Sequence, residues 1–178
     1  MIMRYGSFDN VKYEEYSSKD PELNITMDYI LGWRYSEHRG SYNSYAQVQF
    51  YGLKEKDFAP SMVVTVEHSS KVKFKPLTVE GMADDLITKR MKLKDAKVLS
   101  RSKMKLLGSQ AMDIALTYKM LDKLYATDPK FIPFKERVVI FRKQDKFYTL
   151  RYMNPEEEFK KFDKAFYHCI KTLKLVKE

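Results

Sequence analysis

The chain has 178 residues, with 33 Lys and Arg against 24 Asp and Glu and a formal charge of +9. Apolar residues make up 44% and aromatics 14%, with 6 Gly, 6 Pro and one cysteine, Cys169. That excludes a disordered or low-complexity chain, an internal disulfide framework and any multi-cysteine zinc or iron–sulfur site. The length suits one domain that closes its core without cross-links. The longest purely apolar run, Val138 to Phe141, is far short of the roughly 20 residues a spanning helix needs. The first ten residues hold no signal-peptide core, which places the chain in the cytoplasm if it is complete and outside it if it is a trimmed exported domain.

Taken in order, residues 1–23 are polar and tyrosine-rich and read as an N-terminal extension with a short strand at 11–16. The remainder, 24–178, contains no repeat or linker and reads as a single domain. Ile25 and Met27 alternate as a strand that runs into Asp28-Tyr29-Ile30-Leu31-Gly32-Trp33. Residues 34–45 read as a loop. Residues 45–51 and 61–68 both alternate with period two, as half-buried strands do.

The period then changes. Thr78 is a cap for a helix in which Val79, Met82, Ala83, Leu86 and Ile87 recur every three or four residues. Residues 97–107 return to period two, and Leu107-Gly108-Ser109 reads as a hairpin turn into a strand that carries Met112, Ile114, Leu116 and Tyr118 inward. An interruption follows at 121–136, with Tyr125, Phe131 and Phe134. A second hairpin comes next, 137–143 and 147–153, turning at Gln144 and Asp145. Asn154 and Pro155 then predict the start of a helix with the apolar stripe Phe159, Phe162, Phe166, Cys169, Ile170 and Leu173.

This order, with the Tyr29 to Trp33 corner, Gly108 with Ala111 to Tyr118, and Phe147-Tyr148-Thr149-Leu150 before the last helix, resembles the PsbP-like family. The family is named for the extrinsic photosystem II subunit. Ile30 and Thr172-Leu173 stand where that family usually has Pro and a Ser-Phe pair. The resemblance implies an α+β fold in which an antiparallel sheet is flanked by helices as an α-β-α sandwich, with no enzymatic activity and no cofactor. The superfamily resembled also includes a Ran-binding import factor and bacterial effector chaperones, whose common theme is binding another protein.

The residues themselves point the same way. His38, His68 and His168 lack the spacing of a zinc motif, and neither a nucleophile elbow nor a phosphate-binding glycine loop occurs. Cys169, on the apolar stripe, reads as core. Charge is the stronger signal: residues 89–105 carry eight bases and one acid, Asp95, on an otherwise nearly balanced body. On one strand face Lys97, Arg101, Lys103 and Lys105 are too many like charges to bury, so that face meets water or an anion. Arg34, Tyr35, Arg39 and Tyr42 are of the types that anchor protein interfaces.

The expected function is therefore a non-enzymatic domain that docks a protein partner through these eight residues. An acidic protein surface is the first candidate and anionic membrane headgroups the second. Nucleic acid is disfavoured, because no aromatic interleaves the bases of 89–105. The alternative is a small-ligand or metal-ion binding protein with an aromatic cleft lined by Trp33, Tyr35 and Phe131. No metal ligands are assigned.

Overall fold

The computed structural model describes residues 10–54, 58–68, 78–122 and 127–176. Along the chain run β1 (Tyr13–Ser17), β2 (Ile25–Ile30), β3 (Arg34–Arg39), β4 (Tyr45–Tyr51) and β5 (Ser61–His68). They are followed by α1 (Val79–Arg90), β6 (Lys94–Leu106), β7 (Ser109–Leu121), β8 (Phe131–Lys143), β9 (Lys146–Pro155), α2 (Asp163–Thr172) and β10 (Lys174–Leu175). Seven strands form one sheet in the order β3-β4-β5-β9-β8-β7-β6, and β1-β2-β10 form a second. Every pairing is antiparallel.

Alternation along the strands sorts the large sheet into two faces. The ladder Val48, Val64, Leu150 and Val139 runs straight across four strands in register, so one face presents a continuous apolar surface. Against it pack the small sheet and α2, through Tyr16, Leu23, Ile25, Phe166, Cys169 and Ile170. On the opposite face Val79, Met82 and Ala83 of α1 cover Met112, Ile114, Leu116, Val138 and Ile140. The architecture is an α+β antiparallel sheet with helices on both faces, as the sequence predicts. Thr78 caps α1 as expected, its Oγ1 accepting from the Gly81 N–H at 3.0 Å.

Residues 10–23, read as part of an extension, supply β1 and two core side chains, Tyr16 and Leu23. Glu37 ties them down by accepting from Tyr16 Oη and from the backbone N–H groups of Lys19 and Asp20. Two expectations about the strands are corrected. The loop expected at 34–45 contains β3, whose polar run RYSEHR has no apolar alternation because both its faces are partly solvated. The interruption at 121–136 is shorter, since β8 begins at Phe131; Tyr125 lies outside the described residues. Pro133 is tolerated in β8 because β9 pairs only from Phe134 onward, leaving one side of residues 131–133 without a strand partner.

The last helix also begins later. β9 continues to Pro155, a 3₁₀ helix occupies Glu156–Lys161, and α2 starts at Asp163. Asn154 is buried and caps nothing; its Nδ2 donates to Tyr152 Oη and to the Glu158 carbonyl, pinning the 3₁₀ turn to the sheet. The Leu107-Gly108 turn forms as expected, with φ of 50° and 75°, the left-handed conformations that a tight hairpin needs. Phe166 is one of the side chains that couple α2 to the sheet, its ring 5.8 Å from that of Tyr152. Phe166→Ala is expected to cost about 3–5 kcal/mol, read as a lowered urea midpoint with the slope of the transition unchanged.

Candidate functional site

The expected docking residues fall on opposite ends of the large sheet. Arg34, Tyr35 and Arg39 belong to β3 or its end, with Tyr42 in the following turn, and β6 carries the four bases. Six inter-strand steps separate those strands, about 29 Å at ordinary strand spacing. The two groups therefore form two surfaces, not one.

At the β3 end two of the four candidates, Arg39 and Tyr35, have internal partners. Arg39 forms a two-pronged ion pair with Asp20, Nε to Oδ2 at 2.6 Å and Nη2 to Oδ1 at 2.7 Å. This contact, above all, holds the Asp20 carboxyl below its ordinary value. Tyr35 stands edge-on to Tyr16 and Tyr29, with ring centroids 5.1 and 5.7 Å away. Tyr42 is fully exposed at φ 56°, and Arg34 is exposed.

The β6 end is strongly basic, but its charges are divided. The register places Arg101 opposite Ile114, Lys103 opposite Met112 and Lys105 opposite Gln110, whereas Lys97 stands opposite Thr117. Ile114 and Thr117 are an odd number of residues apart, so they lie on opposite faces of β7. The shared face expected for Lys97 and the other three bases is therefore corrected. A shift of register between Val98 and Ser100 turns Lys97 to the α2 side of the sheet and leaves Leu99 half exposed. There Lys97 and Leu99 line an open cavity of about 490 Å³ with Thr117, Pro133 and Glu156.

On the α1 side, acids of the helix reach two of the remaining bases. Arg101 Nη1 donates to Asp84 Oδ1 at 2.6 Å, and Lys103 Nζ is 3.6 Å from Glu80. Backbone N–H at the helix start, and then Lys103, keep the Glu80 carboxyl below its usual range. Lys119 does the same for Asp95, at 2.7 Å. Lys94 lies over the Phe131 ring at 3.9 Å. Lys92, Lys97 and Lys105 make no ion pair among the described residues. Across residues 79–106 eight bases stand beside four acids, so the edge keeps a clear positive excess.

One cluster has no counterpart in the sequence reading. Glu136 is fully buried; its Oε2 accepts from Arg90 Nε at 2.7 Å and Tyr118 Oη at 3.0 Å, and its Oε1 accepts from Arg90 Nη2 at 3.0 Å. Arg151 Nε is 3.0 Å from Oε1 as an ion pair without hydrogen-bond alignment. Burial first, and then the adjacent Glu136 charge, push the Tyr118 hydroxyl well above its normal value. The signal was present: Glu136 shares a strand face with Phe134, Val138 and Ile140, and an acid in that position must find buried cations.

The alternative cleft is corrected too. Trp33 is buried against Phe162, 5.1 Å between rings, and against Gly52, where a Cβ would meet its ring at 2.9 Å. Tyr35 lies on β3 at one end of the sheet, while Phe131 opens β8 opposite Leu121 towards the other. Of the histidines, His68 joins Glu22 and Asp145, His168 joins Asp28, and His38 meets Ser36. Among the described residues no group of three or more His, Cys, Asp or Glu is placed to hold a metal ion.

With this geometry, likeness to solved structures becomes informative. The chain is similar to cyanobacterial PsbP (CyanoP) from Synechocystis sp. PCC 6803, with a TM-score of 0.61 and 13% identity over 96% of each chain. The fold is the PsbP-like one. The same fold occurs in the Saccharomyces cerevisiae Ran-binding protein Mog1p, TM-score 0.58 and 12% identity over 94% of this chain and 97% of that one. It occurs also in LpqN, involved in cell envelope biogenesis of Mycobacterium tuberculosis, TM-score 0.54 and 12% identity over 93% and 91%. No family model and no curated protein matches the sequence. Few side chains are shared while the ordering of strands and helices is the same, so the likeness carries the fold and leaves each site to be argued from its own residues.

Two outcomes follow from these contacts. Glu136→Gln removes the charge that Arg90 and Arg151 share in the interior and is expected to destabilise by about 3–5 kcal/mol, measured by urea unfolding. Asp20 has a lower pKa in the folded than in the unfolded chain. Its contribution is therefore complete above the ordinary carboxylate value and is lost as pH falls through the folded one. Arg39→Ala should bring the Asp20 carboxyl back towards its ordinary value in an NMR titration and reduce the loss of stability on acidification over that range.

Proposed function

We propose that this chain is a non-enzymatic docking domain of the PsbP-like fold that binds an acidic protein partner through the β6 end of its sheet. The carrying observation is a strand of 13 residues, Lys94–Leu106, exposed along most of its length and bearing five bases and one acid. Such a field speeds encounter with an acidic surface and selects against basic ones. The side chains beside the bases suit a protein interface. Met91, Leu93, Val98, Leu99 and Phe131 are all exposed near this end, so apolar area is available between the charges, as interface cores require.

The non-enzymatic part of the reading is supported by the state of the one thiol. Cys169 is fully buried and its pKa is pushed up to about 12, chiefly by burial, so it is a poor nucleophile at neutral pH. Protein docking in general gains support by analogy from Mog1p, which is Ran-binding. The β3 end enters less, because Arg39 is held by Asp20 and Tyr35 by its aromatic neighbours. Arg34 and Tyr42 are the members of that group left as a second, smaller contact area.

Docking of this kind is expected to weaken steeply with salt, since screening acts over about 8 Å at physiological ionic strength. Capture of a partner from cell extract, followed by chemical cross-linking and mass spectrometry, is expected to place cross-links on Lys97, Lys103 and Lys105. The double reversal Arg101→Glu with Lys105→Glu should reduce capture about tenfold or more at low salt. Equal capture by the double variant, or cross-links confined to the β3 end, overturns the assignment.

A further inference from the structure

We propose that β6 receives an extended acidic segment of the partner as an eighth strand of the large sheet, along residues 100–106. The inference rests on the docking reading above and specifies how the partner is held. β6 closes one end of the sheet and, among the described residues, pairs only with β7. Among the described residues no other backbone bonds to its outer side, so a row of N–H and C=O groups faces outward. That row is the template on which strand addition works.

Regularity picks the stretch. Both register shifts of the β6–β7 pair lie before Ser100, between Lys94 and Lys97 and between Val98 and Ser100. From Ser100 to Leu106 seven successive residues pair in unbroken order with Ala115 to Ser109. A strand of that length extends about 23 Å, enough for a ladder of several hydrogen bonds to an incoming segment.

The side chains then specify the segment. Arg101, Lys103 and Lys105 project on the α1 side and Ser100, Ser102 and Met104 on the other. An added strand would set every second residue about 5 Å from one of the three bases. Acids at those positions and small or apolar residues between them complement both rows. The existing ion pairs leave capacity for this. Arg101 uses Nη1 for Asp84 and makes no other side-chain hydrogen bond among the described residues; Lys103 is only loosely held, at 3.6 Å from Glu80, and Lys105 makes no ion pair among the described residues. Pairs as exposed as Arg101–Asp84 stabilise little, so the helix acids compete weakly with a carboxylate delivered by a strand.

The same bases argue against a second copy of this chain as the occupant. An antiparallel β6–β6 pair would bring Arg and Lys opposite Arg and Lys, and like charges directly opposite destabilise a sheet. Lysine on an edge strand is a guard against indiscriminate pairing; here the guard admits an acidic strand and repels a basic one.

The probe is a fluorescent peptide of about eight residues alternating Glu and Val, titrated by anisotropy against the full chain at low salt. Two further peptides carry N-methyl groups on one or the other alternating set of backbone amides. One N-methylated peptide is expected to bind at least tenfold more weakly than the parent and the other to bind like it, because only one edge of the added strand meets β6. Lys105→Glu is expected to weaken the parent peptide about tenfold. If both N-methylated peptides bind like the parent, the contact is through side chains alone; strand addition is then overturned while acidic docking stands. Absence of parent binding, or a concentration-dependent dimer that Lys105→Glu abolishes, also overturns the proposal. Failure of the docking reading itself shows instead in the cross-linking experiment.

Discussion

A carboxylate without access to water decides where α1 lies. Glu136 projects from β8 into the interface beneath the helix, and its charge is tolerable there only because Arg90 arrives from α1 and Arg151 from β9. An apolar helix face alone can slide along a sheet by a turn at small cost, since hydrophobic contact is non-directional. A two-pronged guanidinium contact cannot. The helix is thus locked at its C-terminal end, with Tyr118 Oη completing the carboxylate's partners.

From that lock follows the electrostatic character of the basic edge. With the helix held over β7 and β8, its exposed acids Asp84 and Glu80 come to rest beside Arg101 and Lys103. Some of the charge that is concentrated along the sequence is therefore balanced in space, and what remains is graded. Lys105, Lys97 and Lys92 are left without acid partners among the described residues, and Arg101 and Lys103 are held only by solvent-exposed pairs. The register shift before Ser100 adds a second division by sending Lys97 to the other face. The edge is consequently a strand with a regular, basic, accessible half and an irregular half flanked by exposed apolar side chains.

The N-terminal side of the domain solves a different problem. β3 ends the sheet opposite β6, and one of its faces is packed by the strap that carries Tyr16 and by the aromatic contacts among Tyr16, Tyr29, Tyr35 and Phe50. The Glu14 hydrogen bond and then burial raise the Tyr29 hydroxyl to about 12, and burial and then the Glu37 hydrogen bond raise that of Tyr16 well above its ordinary value, so both stay neutral donors. The strap and the Arg39–Asp20 pair thus cover one face at the β3 end, whereas β6 is exposed along most of its length.

Much of this domain is legible in its sequence wherever a side chain's fate depends on near neighbours. Period-two alternation in Tyr45–Tyr51 and Ser61–His68, the Thr78 cap and the Leu107-Gly108 turn need only local geometry, and each forms as written. The total charge and its crowding into residues 89–105 are likewise properties of order along the chain. What tertiary structure alone decided is which distant groups meet: that β3 and β6 lie at opposite ends, that a register shift splits Lys97 from Arg101, that Asn154 serves a buried strand end instead of a helix, and that Asp84 and Glu80 attenuate two of the bases. These outcomes depend on strand order and register, which are set by long-range pairing and packing over tens of residues, and a linear pattern of residue types does not specify them uniquely.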